Sequence, residues 1–293
     1  MPLWVGATLI AALAQTIRFL LQRHLRIQAL STTGATFARF AFSAPMVVAG
    51  LGISTLFPGI ELIEPPALFW PYVVIGGVAQ ILGTACILKL FGRRSFAVGM
   101  AFSKTEGLLT ALMGIVLLGE PIGLPAGMAI VVGFVAVLIL SGRPGGWDAG
   151  AAALGLAAGA LFALAAVCYR GASLSLGDAP ALLRAAETLA ATTLWQSGIL
   201  SLFLALRQPE QFVALLVHWR LAALVGLFSM IGSLGWFTAF ALKNAAYVKA
   251  LGQIELVFAS LASVLLLGER MVPREILGIG LLLVSVCLIL LAG

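Results

Sequence analysis

A chain of 293 residues with 62% hydrophobic residues, only 10% charged residues and a mean hydropathy of +1.13 has too few polar side chains to coat a water-soluble globule of its size. A lipid bilayer is the solvent that fits this composition. The formal charge of +6 comes from basic residues scattered singly near segment ends, and without a basic patch and interleaved aromatics no nucleic-acid surface is expected.

A helix that crosses a membrane needs about 20 mostly apolar residues. Ten such segments follow one another, at 3–22, 34–57, 68–91, 95–118, 122–141, 149–170, 180–206, 218–241, 245–267 and 272–291, separated by short polar or Gly/Pro punctuation. The first contains Ala12-Leu13-Ala14, which resembles a signal-peptide cleavage site, but no basic residue precedes it, so it is read as an uncleaved helix. The connections 23–33, 58–67, 142–148, 171–179 and 207–217 are the longest, and none is long enough to fold separately. Cys86, Cys168 and Cys287 fall inside apolar segments without metal-ligand spacing and read as packing residues.

One pattern occurs twice. Glu106, an apolar run to Leu118 and then Gly119-Glu120 returns as Glu255, an apolar run to Leu267 and Gly268-Glu269, at an offset of 149 residues. Ala97/Ala246, Gly83/Gly232 and Trp70/Trp219 keep the same offset. The chain therefore reads as a duplication, with repeats at 1–145 and 146–293. Five segments per repeat is an odd number of crossings, so the second repeat lies upside down relative to the first. The expected fold is an all-α integral membrane protein of ten transmembrane helices in two inverted five-helix repeats.

Basic residues near segment ends set the orientation. Numbering the faces alternately, one collects Arg23, Arg26, Arg93, Arg94, Arg143, Arg207, Arg220, Arg270 and Arg274, and the other Arg170, Arg184 and Lys243. The first face is expected to be cytoplasmic, which places both termini on the opposite side.

A charge deep in a span costs about 2.5–3.5 kcal/mol on insertion scales and usually faces a cavity or a partner. Glu106 and Glu255 lie near the middle of the fourth and ninth segments at matching positions. On a helix Glu106 shares a face with Ser103 and Thr110, and Glu255 with Gly252 and Ala259, stripes that admit a cavity or a close helix. The alternative is a glutamate tied to an arginine or lysine for folding alone. Gln15, Arg18, Arg39, Gln80, Lys104, Ser233, Trp236 and Gln253 are further candidates for a substrate or proton site. Lys89, Arg184 and Lys249 lie within about two turns of a segment end, where long stems reach the interface, and read as snorkelling. Glu120 and Glu269 each precede the next segment, where a carboxylate can accept from free helix N–H groups, and Pro121 and Pro273 fit helix starts.

These residues resemble the drug/metabolite transporter superfamily, in particular its EamA-like ten-helix branch. In that family each half closes with a glutamate, an apolar run, Leu-Gly-Glu, a short turn and a final Gly-containing helix, as Glu106–Glu120 with 122–141 and Glu255–Glu269 with 272–291 do here. Two departures stand out. The proline that follows the central glutamate in the family is Gly107 in one half and Leu256 in the other, which removes the expected cause of a helix bend. The tryptophan common in the first helix is replaced by Gln15 and Arg18.

The resemblance implies a secondary-active transporter, an exporter, of a small metabolite such as an amino acid. It would work by alternating access as a multi-pass protein of the inner (plasma) membrane, with the lipid bilayer and a small-molecule substrate as partners, no cofactor, and a monomer sufficient though a dimer is possible. The glutamates can couple transport to protons, and Lys104 and Arg18 near Glu106 suit a zwitterion. No Walker motif is visible. A passive channel or structural protein is the alternative. An intramembrane enzyme is less expected, because His24 and His218 sit at helix ends and no His/Asp/Glu group has ligand spacing.

Overall fold

The computed structural model describes residues 2–28, 30–90, 105–140, 149–267 and 273–292. Among the described residues there are twelve α-helices and no strand: α1 (Leu3–Gln28), α2 (Thr32–Ser54), α3 (Phe69–Leu90), α4 (Glu106–Leu118), α5 (Leu124–Leu140), α6 (Ala149–Ser175), α7 (Ala181–Arg207), α8 (Glu210–Val217), α9 (Trp219–Leu242), α10 (Ala245–Gly252), α11 (Glu255–Leu267) and α12 (Pro273–Ala292). Seven segments are long and apolar enough to cross a membrane, in α1, α2, α3, α6, α7, α9 and the stretch Ala245–Ala262, while α4, α5 and 276–291 of α12 are shorter apolar helices. Leu112, Val116, Leu265 and Leu291 on these helices are exposed, as expected of helices that are apolar all round and meet lipid.

Local chemistry sets several helix ends. The Ser31 hydroxyl accepts from the Gly34 N–H at 3.0 Å to open α2, and the Asn244 carboxamide accepts from the Ala246 N–H at 2.8 Å to open α10. At the end of α4, Gly119 turns left-handed at φ 63°, its N–H donates to the Ile115 carbonyl, and the Glu120 N–H reaches back to Gly114. That left-handed closure favours a residue without Cβ and so explains the glycine at 119.

Small residues decide which helices approach closely. With no apolar driving force between helices in lipid, close backbone approach over small side chains takes its place. Along α3, a Cβ at Gly76 would meet Cys168 at 2.8 Å and one at Gly83 would meet Phe162 at 2.9 Å, so α3 lies against α6. Along α9, Gly232 fits over Ala11 and Ala14, and a Cβ at Gly235 would stand 2.8 Å from the Ala7 carbonyl, so α9 lies against α1. Gly83 and Gly232 are the pair related by the 149-residue offset, and each receives a helix from the other half of the chain. Helices α2 and α7 pack on each other, as do α5 and α12.

Several segment expectations are corrected. The connection 207–217 contains α8, whose Leu215 is buried. The ninth segment, read as one helix, is two helices interrupted at Gln253-Ile254. Pro121 does not start a helix, since α5 begins at Leu124, whereas Pro273 does open α12. Positions 95–104 of the fourth segment, Gly268-Glu269, and Arg93, Arg94, Arg143 and Arg270 lie outside the described residues.

Candidate functional site

Both central glutamates are first residues of short helices, Glu106 of α4 and Glu255 of α11. Before α11 the backbone tightens to three-residue spacing: the Gln253 N–H donates to Ala250, Ile254 to Leu251, Leu256 to Gln253 and Val257 to Ile254, at 2.9–3.3 Å. This interruption forms with Leu256 where the family has proline, so the missing proline does not remove it. A carboxylate in a first turn sits at the positive end of the helix dipole.

From Glu106 a line of contacts runs to Glu255. The Lys249 ammonium lies 3.5 Å from Glu106 Oε2 and 4.4 Å above the Trp236 ring. Trp236 Nε1 donates to Gln15 Oε1 at 3.1 Å, and Gln15 Nε2 donates to both oxygens of Glu255 at 3.0 and 2.9 Å. Glu106 and Gln15 come from the first half of the chain, Lys249, Trp236 and Glu255 from the second. Each glutamate is therefore held by a residue of the opposite half.

A second cluster surrounds Arg39 of α2, 2% exposed. Its Nε donates to Ser229 Oγ at 2.9 Å, Nη1 to Thr84 Oγ1 at 3.1 Å and Nη2 to Ser233 Oγ at 3.3 Å. Beside it, Gln80 Oε1 accepts from the Tyr169 hydroxyl at 3.0 Å and from Gln196 Nε2 at 2.9 Å. Arg18, also buried, donates to Gln22 at 2.7 Å and feels the charges of both Arg39 and Glu255.

The two clusters enclose a cavity of about 30 Å³ lined by Gln15, Arg39, Gln80, Glu106, Ser233, Trp236 and Lys249 on its polar sides and by Phe162, Tyr169, Phe237 and Phe240 elsewhere. That is room for a water or two. A larger space, about 730 Å³, lies between the end of α2, the start of α7 and the connection 59–63. It is lined chiefly by apolar residues such as Met46, Leu51, Leu183 and Leu234, carries one charged side chain, Glu61, and includes none of the residues of the two clusters.

Of the residues singled out in the sequence, Gln15, Arg39, Gln80, Glu106, Ser233 and Trp236 meet at this cavity. Glu255, 0% exposed, lies behind Gln15, and Arg18 does not line the cavity. Gln253 departs from its expected place. Its amide is wedged between α4, α5 and α12, where Gly107, Gly133 and Ser285 leave it space, and the glycine at 107 is the residue that makes that space. Lys104 and Ser103 lie outside the described residues.

Lys249 corrects a further expectation. It is not at the interface but 7% exposed at the cavity, because the interruption after Gly252 turns the end of α10 inward. Lys89 is exposed, as snorkelling requires. Tyr169 and Thr84 were not singled out, and the only signal available was a polar residue within an apolar segment. Glu120 does not cap α5. Its Oε1 accepts from Arg170 Nε and Nη2 at 2.9 and 2.7 Å, while Arg170 Nη1 donates to the Phe240 carbonyl at 2.6 Å. With Arg184 donating to Ser173 and Ala241 carbonyls, this ties the ends of α4, α6, α7 and α9.

An all-helical bundle with apolar flanks and a charged, enclosed cavity between the halves defines a polytopic membrane protein with an internal polar site. The family model for the EamA-like transporter family matches residues 150–291. Residues 150–291 are therefore similar to that family, which is part of the drug/metabolite transporter superfamily. One solved structure, titled only "Crystal structure of protein", shares the fold with a TM-score of 0.71 at 16% identity, over 98% of this chain and 97% of the other. No curated protein matches the sequence.

Proposed function

We propose that the protein is a secondary transporter that moves a small metabolite by alternating access, with substrate and coupling proton meeting at the cavity between Glu106, Lys249 and Arg39. It is built as ten membrane-crossing segments in two inverted repeats, 1–145 and 146–293. The observation that carries this reading is the exchange of partners across the halves, Glu106 with Lys249 and Glu255 with Gln15. If the halves rock apart on one face, both contacts must change, and the charge state of the cavity changes with them.

The arrangement of pairs supports the inverted repeat. Helix α1 packs on α9 and α3 on α6, crossings that exchange with one another when the halves are exchanged. Export of a small polar metabolite fits a cavity whose walls carry both a carboxylate and cationic side chains, and the inner membrane is the expected location. A channel is the competing reading, but a space of about 30 Å³, room for a water or two, favours a site over an open pore.

Reconstitution into proteoliposomes tests the proposal. A transporter gives saturable uptake accelerated by unlabelled substrate on the far side, and substrates for the assay come from a screen for thermal stabilisation. Uptake that is linear in concentration and blind to trans substrate contradicts it.

A further inference from the structure

Five charged side chains are buried among the described residues: Arg18, Arg39 and Lys249 against Glu106 and Glu255. Lys249 faces Glu106, and Arg18 bonds to Gln22 while lying near both Arg39 and Glu255. Arg39 is the cation left over. Its hydrogen-bond partners are three neutral hydroxyls, and no carboxylate of a described residue bonds to it. Protonation of either glutamate would only enlarge the positive excess. A buried charge without a counter-charge is costly, so a guanidinium kept in this state at a cavity wall is a site in which a counter-charge has a place.

The surroundings are rich in donors. Ser229, Thr84 and Ser233 each accept a bond from Arg39, and each keeps its own O–H as a further donor. Arg39 keeps one further N–H on each of Nη1 and Nη2. Gln80 Oε1 accepts from Gln196 Nε2 at 2.9 Å, beside a Tyr169 hydroxyl shared with the Gly76 carbonyl, which turns the Gln80 NH₂ end to the cavity. Arg39, Ser233 and Gln80 line the cavity, while Ser229 and Thr84 hold the guanidinium from behind. A planar fork with hydroxyl and amide donors beside it matches an oxyanion such as a carboxylate.

We infer that the transported substrate is a small organic monoanion whose carboxylate is seated by Arg39, Ser233 and Gln80. This rests on the transport reading only in taking the cavity as the substrate's place. In the present conformation the space admits water alone, so the rest of the ligand enters as the halves part. Its carboxylate then accepts from the unspent donors and needs no bond to be made or broken covalently. The ion pair of Lys249 and Glu106 on the opposite wall remains intact for a monoanion and would have to open for a zwitterion, whose ammonium competes with Lys249 for Glu106.

The experiment uses the purified full chain in lipid nanodiscs and reads the apparent melting temperature at matched ionic strength. The probes are phenylacetate, phenylacetamide, phenethylamine, phenylalanine and phenyl phosphate, with lactate and lactamide as a smaller pair. The expected result is a rise of about 2 °C or more with a carboxylate and none with its amide or with the amine. Ser233→Ala should weaken the carboxylate's apparent affinity on the order of tenfold, and Arg39→Gln should abolish the response. Because Arg39→Gln also breaks three buried hydrogen bonds, the acid-against-amide comparison in the unmodified protein decides.

Equal stabilisation by acid and amide, stabilisation by the amine or by phenylalanine alone, stronger binding of phenyl phosphate, or no response to any carboxylate overturns the inference. Counterflow of a neutral or cationic solute in proteoliposomes would leave the transport reading standing and sink this one. Carboxylate binding without any counterflow would do the reverse.

Discussion

The Lys249 ammonium and the Glu106 carboxylate, 9% and 4% exposed, face each other at 3.5 Å across the boundary between the two halves of the chain. A charge-assisted hydrogen bond is normally about 2.7–2.9 Å, so this pair is loose, and Lys249 divides itself between the carboxylate and the Trp236 ring. The other glutamate is held differently. Glu255 takes both hydrogen bonds of Gln15 at 2.9–3.0 Å and is fully buried. Two residues that match in sequence thus sit in unequal settings, one at the cavity and one behind it.

That inequality leads to opposite expectations for the same substitution. Glutamine keeps the shape and removes the charge. Glu106→Gln should leave a folded protein that has lost transport or its coupling, since the charge left on Lys249 still has the cavity and an aromatic face. Glu255→Gln should mainly lower stability, by about 1.5–3 kcal/mol, because Gln15 loses its charged acceptor and Arg18 its nearby anion. Thermal unfolding in detergent and counterflow in proteoliposomes, measured on both variants, check this. Transport lost in Glu255→Gln with unchanged stability would sink it.

The contact between α1 and α9 should respond to one glycine and tolerate its neighbour. Gly235→Ala places a methyl against the Ala7 carbonyl at 2.8 Å, which backbone cannot easily yield, and should cost about 1–3 kcal/mol. Gly232→Ala meets its nearest atoms at 3.5 Å, ordinary contact, and should be neutral or slightly stabilising through helix propensity. Chemical unfolding of the two variants in the same detergent gives the comparison, and an equal loss in both would contradict the packing.

Glu120 should prove to be a clamp and no part of the substrate site. Glu120→Gln keeps one acceptor but drops the charge facing Arg170, and a loss of about 1.5–3 kcal/mol is expected, discounted toward the lower figure because both side chains are partly exposed at 13% and 18%. Substrate affinity by thermal stabilisation should stay within about twofold of the unmodified protein. A large fall in affinity would place Glu120 in the binding machinery.

Orientation follows from the basic residues. Arg143 and Arg207 are expected in the cytoplasm and both termini outside it. The structure brings Ser31 to Gln208 and Arg26 to the Leu88 carbonyl, so the ends of α1, α3 and α7 meet on one face as the alternate numbering requires. Cysteines added at the termini should react with a membrane-impermeant thiol reagent on intact cells. Reaction only after permeabilisation would reverse the topology.

Much of this was legible in the sequence because duplication writes itself as an offset. Glu106 and Glu255 stood out as charges inside apolar segments at matched positions, and Gly83 and Gly232 as a matched pair that proves to seat one helix each. What remained hidden depends on partners far away in the chain. Lys249 looked like an interfacial lysine because the break after Gly252 has no proline to announce it. Gln253 looked like a site residue, yet its amide fills the space that Gly107 and Gly133 leave. The hydroxyl cage of Arg39 draws on α3 and α9, and nothing in α2 names those neighbours.

The central claim is that the two halves open alternately around this cavity. Ser31 and Gln208 join the start of α2 to the end of α7 on one face, hydroxyl to amide at 2.7 Å. With cysteines at both positions, in a background where Cys86, Cys168 and Cys287 are replaced, a short reducible cross-linker should hold that face closed. Counterflow of a stabilising substrate in proteoliposomes, measured before cross-linking, after it and after reduction, is the most direct test. The account predicts that counterflow stops on cross-linking and returns on reduction, and counterflow that continues undiminished through the cross-linked protein would contradict it.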